Sequence, residues 1–478
     1  MSGPAPSGTT RVDALVVGAG LAGLAAAATL RRAGRDVRLL EAGPRAGGVV
    51  HSERIGGFLV EHGPNTLRVP GPARAALAGL QLEPCLVAAA PASRRRGLFH
   101  EGRIVPLPTG LASAVRTPLV STRGKLRILA EPFVRRGDPS GETVAAFVGR
   151  RLGREAVERL VGPFLTGVYA GDESRLGAEA VFPALVEAER RSGSIVRGLL
   201  ARSRSGSMVR RLLAPGPSAP ASLPALPGIY SCAGGLGELP ERLAADLGES
   251  LALATPVTSL ARDGAGLRAE TPHGDRALWS DRLVLAVPAP AAAELVRELD
   301  ADAAHALARI DYAPIVVVHL GADPAELREP AEGFGFLVPR GAGLGLLGCL
   351  FLSNLFARRA PAGQTLLSCM LGGTRWPQAV ELPEDVLLDR LRSDLDRTLG
   401  LRAAPRPLRT VRWARAVPQP GPEHPRLVAG IERRLGPLGV AVAGGWVRGV
   451  AAADSLASGV AAARQLFPDL AGPSAATG

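Results

Sequence analysis

The sequence predicts an α/β fold: a βαβ unit at the start, a second part built on a mixed sheet, and a helical insert. Three observations predict it. A short apolar run, Asp13 to Val17, is followed by a glycine turn, an Ala-rich stretch and a second apolar run, Val37 to Leu40. Apolar runs return at 311–320, 345–352 and 365–371, as in the strands of another sheet. The stretches 142–161 and 184–213 carry helical periodicity.

Taken in order, residues 1–10 read as a flexible leader, and DALVV as a buried parallel strand. The helix after Gly18 to Gly23 runs to about Arg32, and Gly34 stops it. Val37 to Leu40 completes the βαβ unit, with Glu41 at its end. In 184–213, Arg190, Arg191, Arg197, Arg202, Arg204, Arg210 and Arg211 alternate with apolar residues. The Pro-rich segment 214–227 reads as a linker. Gly234, Gly235 and Gly237 open a helix over Glu238 to Leu247, and strand-like runs follow at Leu251 to Leu260 and Leu283 to Val287. The segment 439–470 reads as strand, glycine turn and Ala-rich helix, with a frayed tail at 471–478.

Composition excludes several classes. The 478 residues suffice for about three domains. Hydrophobic residues at 46 % argue against disorder. Four cysteines, Cys85, Cys232, Cys349 and Cys369, are far apart and form no CxxC pair, against a zinc ribbon or disulfide framework. A reducing compartment fits, and neither a signal peptide nor a bilayer-spanning run is expected. The net charge of +12 rests almost wholly on Arg, with Lys125 the only lysine. An Arg-biased composition, an anionic membrane surface and nucleic acid are the three readings. Aromatics at 4 % leave little stacking platform for nucleic acid, so none is expected as a partner.

Gly18-x-Gly20-x-x-Gly23 between strand and helix, with Glu41 closing the next strand, is the Rossmann-type dinucleotide fingerprint. Gly18 permits the tight turn, Gly20 lets a pyrophosphate approach, and Gly23 lets helix and strand close up. The loop backbone of Ala19, Leu21 and Ala22 meets the anion, and Glu41 accepts from a ribose hydroxyl. NAD and FAD both use this arrangement. Ala42, Arg45, Gly47 and Gly48 follow, and a glycine pair just past the acid lets amides lie against phosphate or flavin. This E-A-x-x-R-x-G-G-x-x-x-S string resembles the second signature of the flavin amine oxidase superfamily.

Further strings resemble the protoporphyrinogen oxidase family. They are Glu61-His62-Gly63-Pro64-Asn65-Thr66, Leu107 to Leu111, Arg150 to Gly153, Gly167 to Asp172, Gly333 to Pro339 and Met370 to Gly373. The resemblance spans about residues 11–465. It implies a discontinuous Rossmann-type FAD-binding domain, a mixed-sheet substrate domain and a helical membrane-binding insert. The implied bounds are 11–90, 228–290 and 411–470 for the FAD domain, 91–213 for the insert with part of the substrate domain, and 291–410 for the rest. FAD contacts are implied at Gly63, Pro64, Asn65, Thr66, Val257, Gly445, Val450, Ala451 and Ala452. No cysteine lies in a string resembling a flavin attachment site, so the FAD is expected to be noncovalent.

The implied reaction oxidises protoporphyrinogen IX to protoporphyrin IX with O2 as acceptor, in haem biosynthesis. The flavin carries the redox chemistry, so no catalytic side chain and no metal site is expected. His62 and His319 read as ordinary core or surface residues. The macrocycle is expected on Phe334, Gly335, Leu337 and Leu350, with Met370 near the flavin face. An arginine of some family members, after Leu111, is Ala112 here, with Arg116 nearest. That favours the two-carboxylate substrate over coproporphyrinogen III with four. The implied location is cytoplasmic, on the inner face of the cell membrane, with a homodimer left open.

One string departs from the family. G-x-x-Y-x-G-V-x-x-N-D-C is here Gly444 to Ser455, with Val447, Ala453 and Ser455 at the Tyr, Asn and Cys positions. A carotenoid-type desaturase and a flavin-binding scaffold without turnover therefore stay open. An amine oxidase is disfavoured: Lys125 lies in the expected insert, and Trp446-Val447 offers one aromatic where such enzymes resemble one another in two.

Overall fold

The strand Ala14–Val17 is buried at every position, and it takes the centre of a parallel sheet. Val37–Leu40 pairs on one side and Leu283–Leu285 on the other. Leu251–Ala252 and Val440–Val442 form the two edges. The first, middle and last parts of the chain thus share one five-stranded sheet. The computed structural model describes residues 10–204, 228–264, 266–272 and 278–470. Residues 1–9 of the expected leader, the linker 214–227, Arg210, Arg211 and the tail 471–478 lie outside the described residues.

Helix Leu21–Arg32 packs its alanines on this sheet and against helix Ala452–Leu466. The two helices approach closely because Gly459 has no side chain. A Cβ there would stand 1.9 Å from the Ala22 carbonyl oxygen. Helix Leu21–Arg32 ends as its sequence says, with Gly34 at φ +75° just past the cap.

The second sheet has seven strands, in the order Arg406–Pro418, Tyr312–Ala322, Thr365–Gly372, Leu346–Phe351, Gly335–Leu337, Arg96–His100, Arg103–Pro106. Only the Gly335–Leu337 and Arg96–His100 pair is parallel, so the sheet is mixed. One face buries Val316, Val318, Cys349, Leu367 and Cys369 against helix Glu384–Leu399. Strand Arg406–Pro418 runs through the expected domain boundary at 410/411. Its pairing with Tyr312–Ala322 places residues 411–418 with this sheet and not with the parallel one. The expected run Leu251 to Leu260 is two strands, Leu251–Ala252 and Ser259–Asp263, with Ala254 at φ +50° between them.

The insert is helical. The expected helix over 142–161 breaks at Gly153, φ +95°, after Val144–Leu152. The described part of 184–213 breaks at Gly193, φ +68°, into Pro183–Ser192 and Ile195–Arg204. Val186 and Ile195 from this pair join Val144, Phe147, Val148 and Leu165 in the insert's own core. The apolar positions of that stretch are therefore not all free to face a bilayer. Arg190 pairs with Glu179 at 2.7 Å, and Arg191 with Glu187.

Candidate functional site

The glycine turn between Val17 and Leu21 has two kinds of glycine. Gly18 sits at φ +97°, and a Cβ on Gly23 would lie 1.8 Å from the Gly18 carbonyl oxygen. Both serve the chain's own packing. A Cβ on Gly20 would meet no atom within 4 Å. Gly20 caps helix Leu21–Arg32 without any side-chain acceptor, so the first-turn amides face that open space. A pyrophosphate fits there: the helix end attracts anions and nothing of the protein occupies the approach.

The elements around the turn hold it in shape. Glu41 accepts from Ala19 N at 2.6 Å on one carboxylate oxygen and from Gly43 N at 2.8 Å on the other. Each oxygen keeps a lone pair for a ribose hydroxyl. Gly47 N donates to Ala19 O at 2.7 Å, and a Cβ on Gly48 would stand 3.4 Å from Gly20 Cα, so the two glycine loops lie face to face. Arg45 folds onto its own loop, donating to Ala46 O at 3.1 Å and to Gly48 O at 2.6 Å. Ala42 is exposed beside it. Thr255 N bonds to Glu41 O at 2.8 Å, which carries the segment leading to Val257 along the same acid.

The loop Gly63–Thr66 is pinned at its root. Trp413 Nε1 donates to His62 O at 2.8 Å, and His62 Nε2 meets Glu53 at 2.8 Å. Gly63 lies so close to Val49 that a Cβ would stand 2.2 Å from the Val49 carbonyl oxygen. Asn65 is buried, and its Oδ1 has no partner among the described residues. An orphaned acceptor beside an open cradle is what a bound polar heterocycle would satisfy.

The chain's end supplies a second helix N-terminus. Helix Ala452–Leu466 starts after Ala451 with no side-chain cap. Gly449, φ +149°, brings Val450 to that start, and Gly444 N is held by Ser458 Oγ at 2.9 Å. Of the family's altered positions, Val447 and Ala453 are buried in the protein's own core. Trp446 anchors the turn by donating from Nε1 to Val287 O at 3.1 Å.

The second sheet presents its other face to this region. Register puts Arg96 and Leu350 opposite Gly335, Leu98 and Gly348 opposite Leu337, and Met370 beside Gly348. Gly335, at φ +128°, breaks the alternation. Phe336 therefore joins the helix-covered core, while Phe334 joins Leu350 and Phe58 on the other side. Of the expected ring contacts, Phe334 and Leu350 share one cluster, Met370 packs with Ala170 and Leu347, and Leu337 sits over Gly167 of the insert.

Sequence reasoning missed the cations of this face. The Arg96 guanidinium lies 4.8 Å over the Phe334 ring. Burial, and then the charge of Arg68, hold its pKa below the usual range. Strand alternation could have found it, since Arg96 shares the parity of Leu98. Tyr169, at the end of insert helix Gly162–Tyr169, is pushed up to about 12 by burial and then by Asp454. Burial also raises Asp454, in the first turn of the C-terminal helix. Among the described residues no group of three or more His, Cys, Asp or Glu side chains could hold a metal ion.

Two glycine loops, an acid for a ribose and a returning C-terminal helix define a dinucleotide-dependent oxidoreductase of the flavin type. Residues 21–467 match the flavin containing amine oxidoreductase family, and the chain belongs to that family. Its cofactor is FAD. It is 33 % identical to the chloroplastic protoporphyrinogen oxidase of Nicotiana tabacum over 425 residues, 85 % of this chain and 76 % of the relative. It is 27 % identical to the coproporphyrinogen III oxidase of Bacillus subtilis (strain 168), over 91 % of this chain and 94 % of the relative. A solved structure from Exiguobacterium sp. 255-15, assigned to protoporphyrinogen oxidase, superposes with a TM-score of 0.78 at 24 % identity, covering 96 % of this chain and 99 % of that one. That likeness shows a shared fold.

Proposed function

We propose that this chain oxidises protoporphyrinogen IX to protoporphyrin IX, with O2 as the final electron acceptor. The supporting observation is the set of half-buried apolar residues Phe334, Leu350 and Met370 on the second sheet, with Arg96 stacked on Phe334. A flat, reduced tetrapyrrole would pack on the apolar face. Arg96, with Arg68 behind it, would pair with a propionate at the rim. Gly18, Ala19, Gly20, Leu21, Ala22, Gly23, Glu41, Gly47, Gly48 and the loop Gly63–Thr66 would hold the FAD. Val257, Gly445, Val450, Ala451 and Ala452 complete that proposed set. When bound, the flavin would supply the two-electron acceptor for each of three ring dehydrogenations, in which the macrocycle gives up the equivalent of a hydride and a proton. The chain's part is to place the ring, shield it from water and receive its carboxylates.

The small number of cations at this face favours a dicarboxylate. Arg116, the expected substitute for the family's arginine, is an exposed residue at the end of helix Leu111–Arg116. Purified holoenzyme mixed anaerobically with protoporphyrinogen IX should lose its yellow colour, and kcat/KM should exceed that for coproporphyrinogen III. A higher kcat/KM for coproporphyrinogen III, or no bleaching by either, would overturn the reading.

We also propose that the insert docks on an anionic membrane on the cytoplasmic side. Its exposed apolar residues are not those of the arginine-rich stretch alone. Leu126, Leu129 and Phe133 are 63 %, 69 % and 85 % exposed, and Val196 is joined to them through Glu131, which accepts from the Val196 amide. Exposed Arg123, Arg135 and Arg136 surround the patch. Among the described residues no helix is long and apolar enough to cross a membrane.

A further inference from the structure

Far apart in sequence, all four cysteines meet in two buried pairs. Cys85 and Cys232 place their sulfurs 3.6 Å apart, and so do Cys349 and Cys369. The two pairs are not alike. Cys349 and Cys369 face each other directly across two central strands, and neither is exposed at all. Cys85 ends a one-turn helix, Glu83–Cys85, near the surface and keeps 7 % of its area exposed. We propose that Cys85 and Cys232 form a peroxide-responsive dithiol, with Cys85 as the attacking sulfur and Cys232 as the resolving one.

The geometry sets these roles. The Cys85 thiol donates to Leu82 O at 2.8 Å and accepts from the Cys232 thiol at 3.6 Å, so both sulfurs are protonated at rest and Cys85, the more exposed of the two, must release its proton from that carbonyl before it attacks. The hydrogen bond from Cys232, and then the positive charge of Arg242, hold the Cys85 thiol below its ordinary pKa against the opposing effect of burial. The adjacent Cys85 sulfur and burial push Cys232 up. A thiolate that is reachable and stabilised is the nucleophile of such a pair. The Cys85 thiolate attacks one peroxide oxygen, the O–O bond breaks, and water leaves with the incoming proton. The resulting sulfenic acid is attacked by Cys232, the S–S bond forms, and a second water departs. Two thiols are oxidised by two electrons, and one hydrogen peroxide is reduced to two waters. The strand Leu86–Ala88 pairs with Ile229–Cys232, which holds the two cysteine backbones side by side.

The bond would have a definite place in the fold. Between Cys85 and Cys232 the chain makes the strands Arg96–His100 and Arg103–Pro106 and the whole helical insert. A disulfide would fasten the outgoing and returning ends of that excursion to each other. The inference does not depend on the substrate proposed above.

The test is peptide mapping of the FAD-bound full chain after titration with hydrogen peroxide, denaturation and alkylation. The expected product is a Cys85–Cys232 linked peptide, lighter by two hydrogens and released by dithiothreitol, with Cys349 and Cys369 alkylated as thiols. In Cys232→Ser, Cys85 should instead be trapped as a sulfenic acid by a 1,3-dione. FAD content of Cys232→Ser reports whether it has folded, and the wild-type map stands without it. Four alkylated thiols after peroxide, or a Cys349–Cys369 link formed as readily, would overturn the proposal.

Discussion

His319 shows how much one side chain can settle. It reads from sequence as an ordinary core histidine, and the structure gives the reason for its place. Nε2 meets the Glu61 carbonyl at 2.8 Å, and Nδ1 meets Ser368 Oγ at 2.8 Å. A carbonyl only accepts, so Nε2 carries the proton and Nδ1 accepts from the hydroxyl. The neutral ring thus ties the second sheet to the strand Phe58–Glu61, which runs into the loop Gly63–Thr66. Burial takes its pKa down to about 4. The unfolded chain binds that proton from about pH 6.5 downward, so stability is full above 6.5 and is lost as pH falls toward 4. Between pH 7 and pH 5 this single group should cost about 2 kcal/mol. Denaturant melts at the two pH values should show that loss in the wild type and a smaller one in His319→Gln. Equal losses in both would remove His319 from the account.

Among the elements, helix Ile195–Arg204 is held from outside its own sequence. Glu131 accepts from Ser194 Oγ at 2.6 Å, Ile195 N at 2.8 Å and Val196 N at 3.2 Å, so it caps that helix from more than sixty residues away. The same carboxylate receives Arg151 Nε at 2.7 Å, and Arg151 also reaches Glu189. All three side chains are buried. Burial pushes the Glu131 carboxyl up, but the hydrogen bonds of Ser194 and Arg151 outweigh it and hold the pKa below the ordinary value. Glu131→Ala should therefore leave Arg151 half-paired in the insert core, at a cost of about 3–5 kcal/mol. Hydrogen exchange should show the insert opening while FAD content is retained. Unchanged protection over 144–200 would refute the role. Periodicity in 142–161 and 184–213 revealed the helices but not this cap, because a cap supplied by a distant residue leaves no local trace. Nor did it reveal the breaks, since Gly153 and Gly193 look like tolerated interior glycines until their φ angles are known.

The whole molecule was most legible where the backbone itself does the work. Gly18, Gly20, Gly23 and Glu41 sit as spacing alone required, because a tight turn before a helix tolerates few side chains. The proposed substrate face was less legible. Phe334 and Phe336, with one strand parity, lie on opposite sides because of Gly335, and Arg96 hid within a run of three arginines. The exposed apolar residues of the insert also lie elsewhere than expected, since Val186 and Ile195 are used internally and Leu126, Leu129 and Phe133 are left outside. The purified chain should float with vesicles rich in anionic lipid and sediment free of neutral ones. Replacing both Leu129 and Phe133 by Asp should abolish flotation without loss of FAD. Flotation indifferent to lipid charge, or to those two substitutions, would contradict the docking surface.

The parallel sheet also carries a timetable. Its central strand is made within the first twenty residues, but the edge strand Val440–Val442 and the helix start at Ala452 come from the last forty. At ordinary synthesis rates some 400 residues separate the two, on the order of a minute on the ribosome. Until Leu285 is made the fingerprint strand lacks its neighbour on that side, and from then until Val440 the strand Leu283–Leu285 has an open edge and the C-terminal amides are missing. A chain cut short before Val440 lacks the edge strand of the parallel sheet and the helix start at Ala452, and with them the C-terminal part of the proposed flavin cradle.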